Sequence, residues 1–406
     1  MKIVAADNVF IFVSTAFVLL MSIPALAIFY AGLTKVKSML NTIVMVMVAF
    51  GVVSLLWLMY GYSLTFSEGN GFIGDLSYLF LHGILPSDPA PVAPNLYHYL
   101  FIFFQMTFAA IAVALMAGAF VERMKFVSWI VVCIAWATLV SFPVAHWIWG
   151  GGWLSQLGTL DFAGGLTIHE TSGLGALVGA LLLGRRKDAM MLPSSLPLTA
   201  IGTGLLWFGW FGFNGGSALA MSAQAVSAAF VTTIAAIVGG LVWMGLEWIK
   251  FKKPTSLGLF TGIIAGLATI TPASGFVDIG GGILIGIVGA LVCFWAVVYL
   301  KNRFKYDDSL DVFGVHGVGG MVGALMLGFL ASPDIAGSKG VLYGGGFGQL
   351  WSELVGIVVV GFYTVIVSYV IFKVVDLWLG LRVSKDDEQE GLDETIHGEK
   401  AYVKEY

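Results

Sequence analysis

The sequence predicts an all-α protein that crosses a membrane many times, and the main evidence is its composition and the length of its apolar runs. Of its 406 residues, 58% are apolar and 11% are charged, and the mean hydropathy is +0.92. Soluble domains contain about 45–50% apolar and about 25% charged residues. The composition therefore excludes a soluble globular enzyme and a disordered protein. The net charge of −4 and the lack of a basic stripe that could follow phosphates also exclude a nucleic-acid binder.

Eleven apolar stretches are long enough to cross a lipid bilayer, which takes about 20 residues in a helix. The eighth stretch is the shortest. Close packing between the stretches is expected because the chain contains 53 glycines, and small residues let helix backbones approach each other. The predicted spans cover approximately 9–30, 42–65, 98–120, 127–147, 167–184, 196–214, 225–248, 256–271, 279–300, 313–331 and 348–379.

The basic residues alternate between the connections in a way that supports this count. Eighteen of the 20 Lys and Arg residues fall in one set of connections or in the C-terminal part, whereas the other set contains only Lys2 and Lys339. Because cytoplasmic loops carry the excess of Lys and Arg, we expect the N-terminus outside and the C-terminus in the cytoplasm. Residues 1–383 are predicted to form the membrane domain of a cell (inner or plasma) membrane protein, and 384–406 a charged cytoplasmic tail.

Two histidines are predicted to lie near the middle of the membrane. His169 is 16 residues from the nearest predicted cytoplasmic arginine, and His316 is 11 residues from the nearest predicted cytoplasmic lysine. Each follows an aspartate, Asp161 or Asp311, by one to two helical turns and precedes a run of small residues. A single buried histidine more often has a packing role. Two at matching positions favour a shared pore, because ionisable residues at membrane depth are costly and usually functional.

The two histidine segments run in opposite directions across the membrane, which is typical of an inverted repeat. The first repeat is predicted to cover about 9–184 and the second about 196–331, and the helix at 348–379 lies outside both. Proteins built in this way place their transport path at the repeat interface, near the midplane. The sequence alone therefore indicates a transport protein.

Neither a metal centre, a cofactor nor an enzyme active site is predicted. Cys133 and Cys293 lie in separate apolar runs, and the His-Glu pair at 169–170 lacks the second histidine of a zinc protease motif because position 173 is Gly. The sequence contains no Gly-rich phosphate loop and no catalytic nucleophile in a recognisable setting. A membrane enzyme is therefore the least favoured of the alternatives.

Four segments and the tail resemble the ammonium transporter family (the Amt/Mep/Rh superfamily), on its bacterial and archaeal side. The segments are DFAGGLTIH, GWFGFNGGSA, AHWIWGGG and DVFGVHG, and the tail reads GLRV, EGLD and HGEKAY in order. The resemblance covers essentially the whole chain. It implies eleven spans in two inverted halves plus one helix, a homotrimer with one conduction path in each protomer, and ammonium, ammonia and methylammonium as substrates.

The resemblance also implies roles for individual residues. Phe108, Trp149 and Ser217 correspond to an outer site that recruits ammonium, and Phe108 with Phe213 to a stacked gate. A cation is attracted to the face of an aromatic ring, and a hydroxyl accepts an N–H. His169 and His316 correspond to the family's twin pore histidines, and Glu170 stands where an apolar or small residue is expected. Structural or vestibule positions are expected at Asp161, Asp311, Trp210 and Thr271.

The expected mechanism is that ammonium loses a proton at the gate, ammonia crosses an apolar lumen, and the proton moves separately along the histidine pair. This transport would carry charge. The sequence leaves open a membrane-embedded ammonium sensor with little flux and a neutral ammonia or water channel. Docking of a trimeric PII-type signalling protein on the cytoplasmic face, near the tail, is implied by the resemblance alone.

Overall fold

The computed structural model describes residues 3–189 and 193–402, and regular secondary structure in these ranges is helical apart from two isolated β-bridges. Ten helices in the described residues are long and apolar enough to cross a membrane, and an eleventh apolar helix is shorter, with 15 residues. The short helix corresponds to the eighth predicted span. The helices are α1 (Ala5–Leu33), α2 (Val36–Phe66), α3 (His98–Phe120), α4 (Phe126–Leu157, interrupted at 149–152), α5 (Gly165–Leu183), α6 (Leu196–Gly215), α7 (Ala223–Phe251), α8 (Ser256–Ile270), α9 (Ile279–Phe304), α10 (Phe313–Leu330) and α11 (Gly348–Leu379).

The helices are not regular along their whole length. α1 is kinked at Pro24, beside a residue with non-helical backbone angles, because proline removes a backbone donor and clashes with the preceding turn. Wide π-helical turns open α5 at Gly165–Glu170 and α10 at Phe313–Gly317. Turns of this kind occur frequently at functional sites, and these two contain the mid-membrane histidines of the sequence analysis.

α3 and α5 form the centre of the bundle. In each of them, 78% of an 18-residue apolar stretch is buried, compared with 28% of the same length in α11. α5 packs against α3, α10 and α11, so the two helices that carry histidines cross inside the protein and away from lipid. α11, by contrast, has one long side that is exposed, including Phe362, Tyr369 and Trp378.

The connections rich in Lys and Arg come together at one end of the bundle, which we call the basic end. Arg186 Nη2 lies 3.0 Å from Asp307 Oδ1, and Arg186 Nη1 lies 3.2 Å from Glu122 Oε2. The fully buried Arg123 guanidinium donates to the carbonyl oxygen of Asp307. Burial alone would raise the pKa of Asp307, but the hydrogen bonds and charges of Arg186 and Arg123 outweigh it and lower this pKa to about 2.

The tail packs against the basic end and does not form a separate unit. It contains two short helices, α12 (Lys385–Glu390) and α13 (Leu392–His397). The Asp393 carboxylate accepts hydrogen bonds from the backbone N–H groups of Leu40 and Asn41 in the first turns of α2. Favourable placement of a carboxylate at a helix N-terminus explains this contact. The Glu388 carboxylate likewise pairs with Arg382 at 2.7 Å.

Replacing Asp307 by Asn is expected to lower the free energy of unfolding by about 3 kcal/mol, because it removes one charge from a buried ion pair. The low pKa of Asp307 keeps its carboxylate charged at pH 5 as well as at pH 8. Its contribution is therefore fully present above the unfolded pKa of about 4 and disappears only as the pH falls towards 2. Thermal unfolding of wild type and variant in detergent measures the loss of stability, which is expected to be equal at pH 5 and pH 8. The exposed Asp386→Asn serves as the control, and an equal effect of both changes would contradict the prediction.

Candidate functional site

His169 and His316 meet at the centre of the protein. Their Nδ1 atoms are 3.1 Å apart, and their ring planes differ by 16°. Both side chains are buried, with 1% and 5% of their surface exposed. At this distance one Nδ1 donates a hydrogen bond and the other accepts it, so the two rings share a single proton between them.

Two close contacts between glycines bring the histidine helices together. A Cβ on Gly173 of α5 would lie 2.3 Å from the Cα of Gly317 in α10, so the two backbones touch where any side chain would separate them. A Cβ on Gly320 would lie 2.3 Å from the carbonyl oxygen of Gly165. These close approaches give a physical reason for the run of small residues after each histidine.

The histidine pair lines a narrow cavity that is otherwise apolar. Its walls come from both halves of the chain, and the remaining lining residues are Met21, Leu26, Phe29, Ile111, Leu115, Ile168, Leu206, Trp210, Phe213 and Ile264. A second cavity shares Phe29, Ile264 and His316 with the first and reaches Asp311 towards the basic end. The two cavities together outline a conduit that passes the histidine pair.

A stacked pair of rings closes the conduit on the side away from the basic end. The Phe108 and Phe213 rings have centroids 4.4 Å apart and planes that differ by 5°. Trp149 lies beyond them, with its ring edge-on to Phe108 at 6.1 Å. The Ser217 hydroxyl lies on the same side and donates a hydrogen bond of 2.7 Å to the Phe213 carbonyl oxygen. The structure thus brings the three rings into contact, and Ser217 is joined to them through the Phe213 carbonyl.

The two further predicted pore positions, Trp210 and Thr271, form a hydrogen-bonded pair. The indole Nε1 of Trp210 donates to Thr271 Oγ1 at 3.0 Å, and this hydroxyl donates to the Leu267 carbonyl oxygen. The Trp210 ring lies nearly parallel to the His169 ring, at 5.7 Å. Trp210 therefore forms a wall beside His169, and Thr271 holds that wall in place from behind.

Asp161 organises the start of α5. Its two carboxylate oxygens accept hydrogen bonds from the backbone N–H groups of residues 164 to 167 and from the Thr167 hydroxyl. Its backbone carbonyl accepts from Trp149 Nε1 at 2.8 Å. Because the first N–H groups of a helix have no partner within it, Asp161 satisfies three of them together with the N–H of Gly164 just before the helix, and it joins Trp149 to the first histidine helix.

In the second half, Asp308 holds the start of α10 as Asp161 holds the start of α5, and sequence reasoning did not single out Asp308. The Asp308 carboxylate accepts from the backbone N–H groups of Val312 and Phe313 at the start of α10, whereas the Asp311 carboxylate is paired with Lys301 at 2.7 Å. The spacing contained this signal, since Asp161 and Asp308 both precede their histidine by eight residues. Asp311 instead lies in the vestibule at the basic end.

Glu170 points away from the conduit, towards α11. Its side chain is 0% exposed, and neither carboxyl oxygen has a hydrogen-bond partner among the described residues. A Cβ on Gly361 of α11 would lie 2.9 Å from Glu170 Oε1, so the carboxyl occupies a notch on that helix. Because an unpaired buried charge is very costly, the protonated acid is the form that fits this position.

The fold and the central conduit define a multi-pass helical membrane protein with an internal passage. A sequence model described as the Ammonium Transporter Family matches residues 9–402. The ammonium transporter of Aquifex aeolicus is 46% identical over 99% of this chain and 94% of its own length, and that of Bacillus subtilis is 46% identical over 98% of each. The chain belongs to the ammonium transporter family.

Solved structures agree with this assignment. The crystal structure of Saccharomyces cerevisiae Mep2 is similar with a TM-score of 0.87 and 36% identity, over 95% of this chain and 88% of that one. A structure titled as a sensor Amt protein has a TM-score of 0.88 and 27% identity, over 96% and 98% of the two chains.

Replacing Asp161 by Asn is expected to lower the free energy of unfolding by about 2–3 kcal/mol, because several charge-assisted hydrogen bonds inside the protein are weakened or lost. The start of α5 would then lose the group that holds it. Thermal unfolding measures the effect, and Asp278→Asn is a suitable control because Asp278 also accepts from a helix N-terminus but lies near the surface. A loss no larger than that of the control would contradict the role assigned to Asp161.

Proposed function

We propose that this chain transports ammonium by passing ammonia and a proton separately through the conduit at its centre. The observation that carries the proposal is the direct contact of His169 and His316 inside an apolar cavity. The curated relatives are named ammonium transporters, which supports ammonium as the substrate.

Charge and size alone separate ammonium poorly from potassium, but only ammonium can lose a proton. Removing that proton near neutral pH costs roughly 3 kcal/mol, since the pKa of ammonium lies about two units above neutral pH and each unit costs about 1.4 kcal/mol. Placing a charge in the centre of a bilayer costs about 3 kcal/mol on insertion scales and 10 or more in simulations. Moving neutral ammonia through an apolar conduit is thus at least competitive, and potassium has no equivalent route.

The outer site has the chemistry to receive the cation. The Trp149 and Phe108 rings present π-faces and edges around one space, and π-faces attract cations. Because the Ser217 hydroxyl donates its hydrogen to the Phe213 carbonyl, its oxygen remains an acceptor for an N–H of ammonium. The stacked Phe108 and Phe213 rings then mark the point at which the cation gives up its proton, and the His169 ring, 6.1 Å from the Phe213 ring, is the base that takes it up.

The histidine pair supplies a separate route for that proton. Two imidazoles in hydrogen-bond contact relay a proton when each ring alternates between donor and acceptor. The proton and the ammonia leave together at the basic end, so the overall transfer carries one positive charge. We propose that methylammonium uses the same path.

The sensor is the second candidate, and the similarity to the sensor Amt protein favours it. A sensor would bind ammonium at the outer site with little flux through the conduit. A neutral ammonia channel would show uptake without current. Measurement of flux and current in the same vesicles separates the three functions.

Assembly and partners form part of the proposal. An apolar groove of about 590 Å³ lies between α1, α6 and α7 and includes Phe17, Phe211 and Phe230, which supports packing against a second copy in a homotrimer. The docked tail and the basic end form the face on which a PII-type protein would bind. The location we propose for this chain is the cell (inner or plasma) membrane.

Purified protein in liposomes is expected to give an ammonium-dependent current that potassium does not produce. His169→Ala and His316→Ala are each expected to abolish the relay, so that current falls at least about ten-fold or selectivity against potassium is lost. His82→Ala is the control, because His82 is exposed in the connection between α2 and α3, and it is expected to retain the wild-type current. Full current with intact selectivity in both pore variants would refute the relay.

Glu170→Gln is expected to leave the current and its pH dependence unchanged, because an amide has nearly the shape of the protonated acid that fits the notch beside Gly361. Glu170→Ala is expected to lower the free energy of unfolding by about 2 kcal/mol through the cavity it leaves. Current–pH profiles and thermal unfolding provide the two measurements. A shifted pH profile in Glu170→Gln would place the carboxyl on the proton route.

A further inference from the structure

His146 has an unusual pair of partners at the outer end of α4. Its ring is 1% exposed, with Nδ1 2.9 Å from the Thr65 carbonyl oxygen and Nε2 2.7 Å from the Asn70 carbonyl oxygen. Carbonyl oxygens only accept hydrogen bonds, and a neutral imidazole has only one N–H. A neutral ring would therefore turn a lone pair towards one of the two carbonyls, whereas an imidazolium donates to both.

The surroundings of His146 favour a positive charge. His146 lies in the last turn of the segment Phe142–Ile148, and Thr65 lies in the last turn of α2, which ends at Phe66. Helix C-termini carry unpaired carbonyl groups and the negative end of the helix dipole. The His146 ring thus lies between two such ends, and its charge is balanced by carbonyl dipoles without an ion pair among the described residues.

The backbone that carries Trp149 folds around His146. The N–H groups of Gly150 and Gly152 both donate to the His146 carbonyl oxygen, at 3.1 Å and 3.0 Å. A Cβ on Gly150 would lie 1.9 Å from the Thr65 carbonyl oxygen and 2.7 Å from His146 Nδ1. His146 therefore joins three parts of the chain with its ring and its carbonyl, three residues before the outer tryptophan.

We propose that His146 is held as an imidazolium and is the positioning residue that fixes Trp149 beside Phe108. The two ring hydrogen bonds pin the outer end of α4 to α2 and to the connection after it, and Trp149 extends from this fixed point to the Asp161 carbonyl. The inference builds on the proposed function, because it assigns a role at the same outer site.

The protonation of His146 is tested without any transport measurement. Protein labelled uniformly with ¹³C and ¹⁵N is reconstituted in lipid at pH 7, and the ring nitrogens of His146 are assigned through the backbone signals of Ala145 and Trp147. Solid-state NMR is expected to show two protonated nitrogens at His146. One protonated and one unprotonated nitrogen would overturn the proposal, even if ammonium transport is confirmed.

The positioning role is tested with the current assay. His146→Gln retains one donor and no charge, and it is expected to raise the ammonium concentration for half-maximal current about five-fold, with the maximal current within about two-fold of wild type. Gly150→Ala, whose Cβ would press on both the Thr65 carbonyl and the His146 ring, is expected to act in the same direction. His146→Asn, whose amide can reach the Thr65 carbonyl in place of Nδ1, is expected to recover part of the loss.

The controls separate positioning from general damage. His82→Gln removes an exposed histidine in the connection between α2 and α3 and is expected to match wild type. An unchanged half-saturating concentration in both His146→Gln and Gly150→Ala would overturn the positioning role, as would a loss of maximal current alone. If no variant and no wild-type protein carries current, the proposed function fails, while the NMR result still decides the state of His146.

Discussion

The conduit depends on a contact between two backbones that lack side chains. Gly173 and Gly317 let α5 and α10 approach so closely that a single methyl group at Gly173 would overlap the backbone of α10. His169 lies one turn before Gly173, and His316 is next to Gly317, so this contact sets the 3.1 Å separation of the two Nδ1 atoms. Larger residues at the crossing would move the rings apart and leave each imidazole without its partner.

The two halves of the protein solve a common problem in similar ways. A helix that begins inside a membrane protein leaves backbone N–H groups that no water can satisfy. Asp161 supplies the acceptors for α5, and Asp308 supplies them for α10. Each histidine is therefore attached to a helix whose first turn is held by a carboxylate, and this gives the rings a fixed position instead of one on a mobile loop.

Much of the fold and part of the site could be predicted because they follow from charge and hydropathy. The spans could be predicted from the length of the apolar runs, and the central histidines because ionisable residues are rare in apolar sequence. Asp308 was missed because Asp311 lies closer to the recognisable motif, although only Asp308 has the spacing of Asp161. The lumen walls, such as Phe29 and Ile264, carry no signal among so many apolar residues. The role of His146 depends on backbone carbonyls, which no side-chain pattern reveals.

The stacked rings of Phe108 and Phe213 have a kinetic consequence. With centroids 4.4 Å apart and planes almost parallel, the rings are in van der Waals contact and leave no aperture. On the proposed route, a molecule would pass only while one of the two rings is rotated aside. Throughput on the proposed route would be governed by the frequency of side-chain rotation in a crowded interior, and would rise more steeply with temperature than diffusion through an open hole.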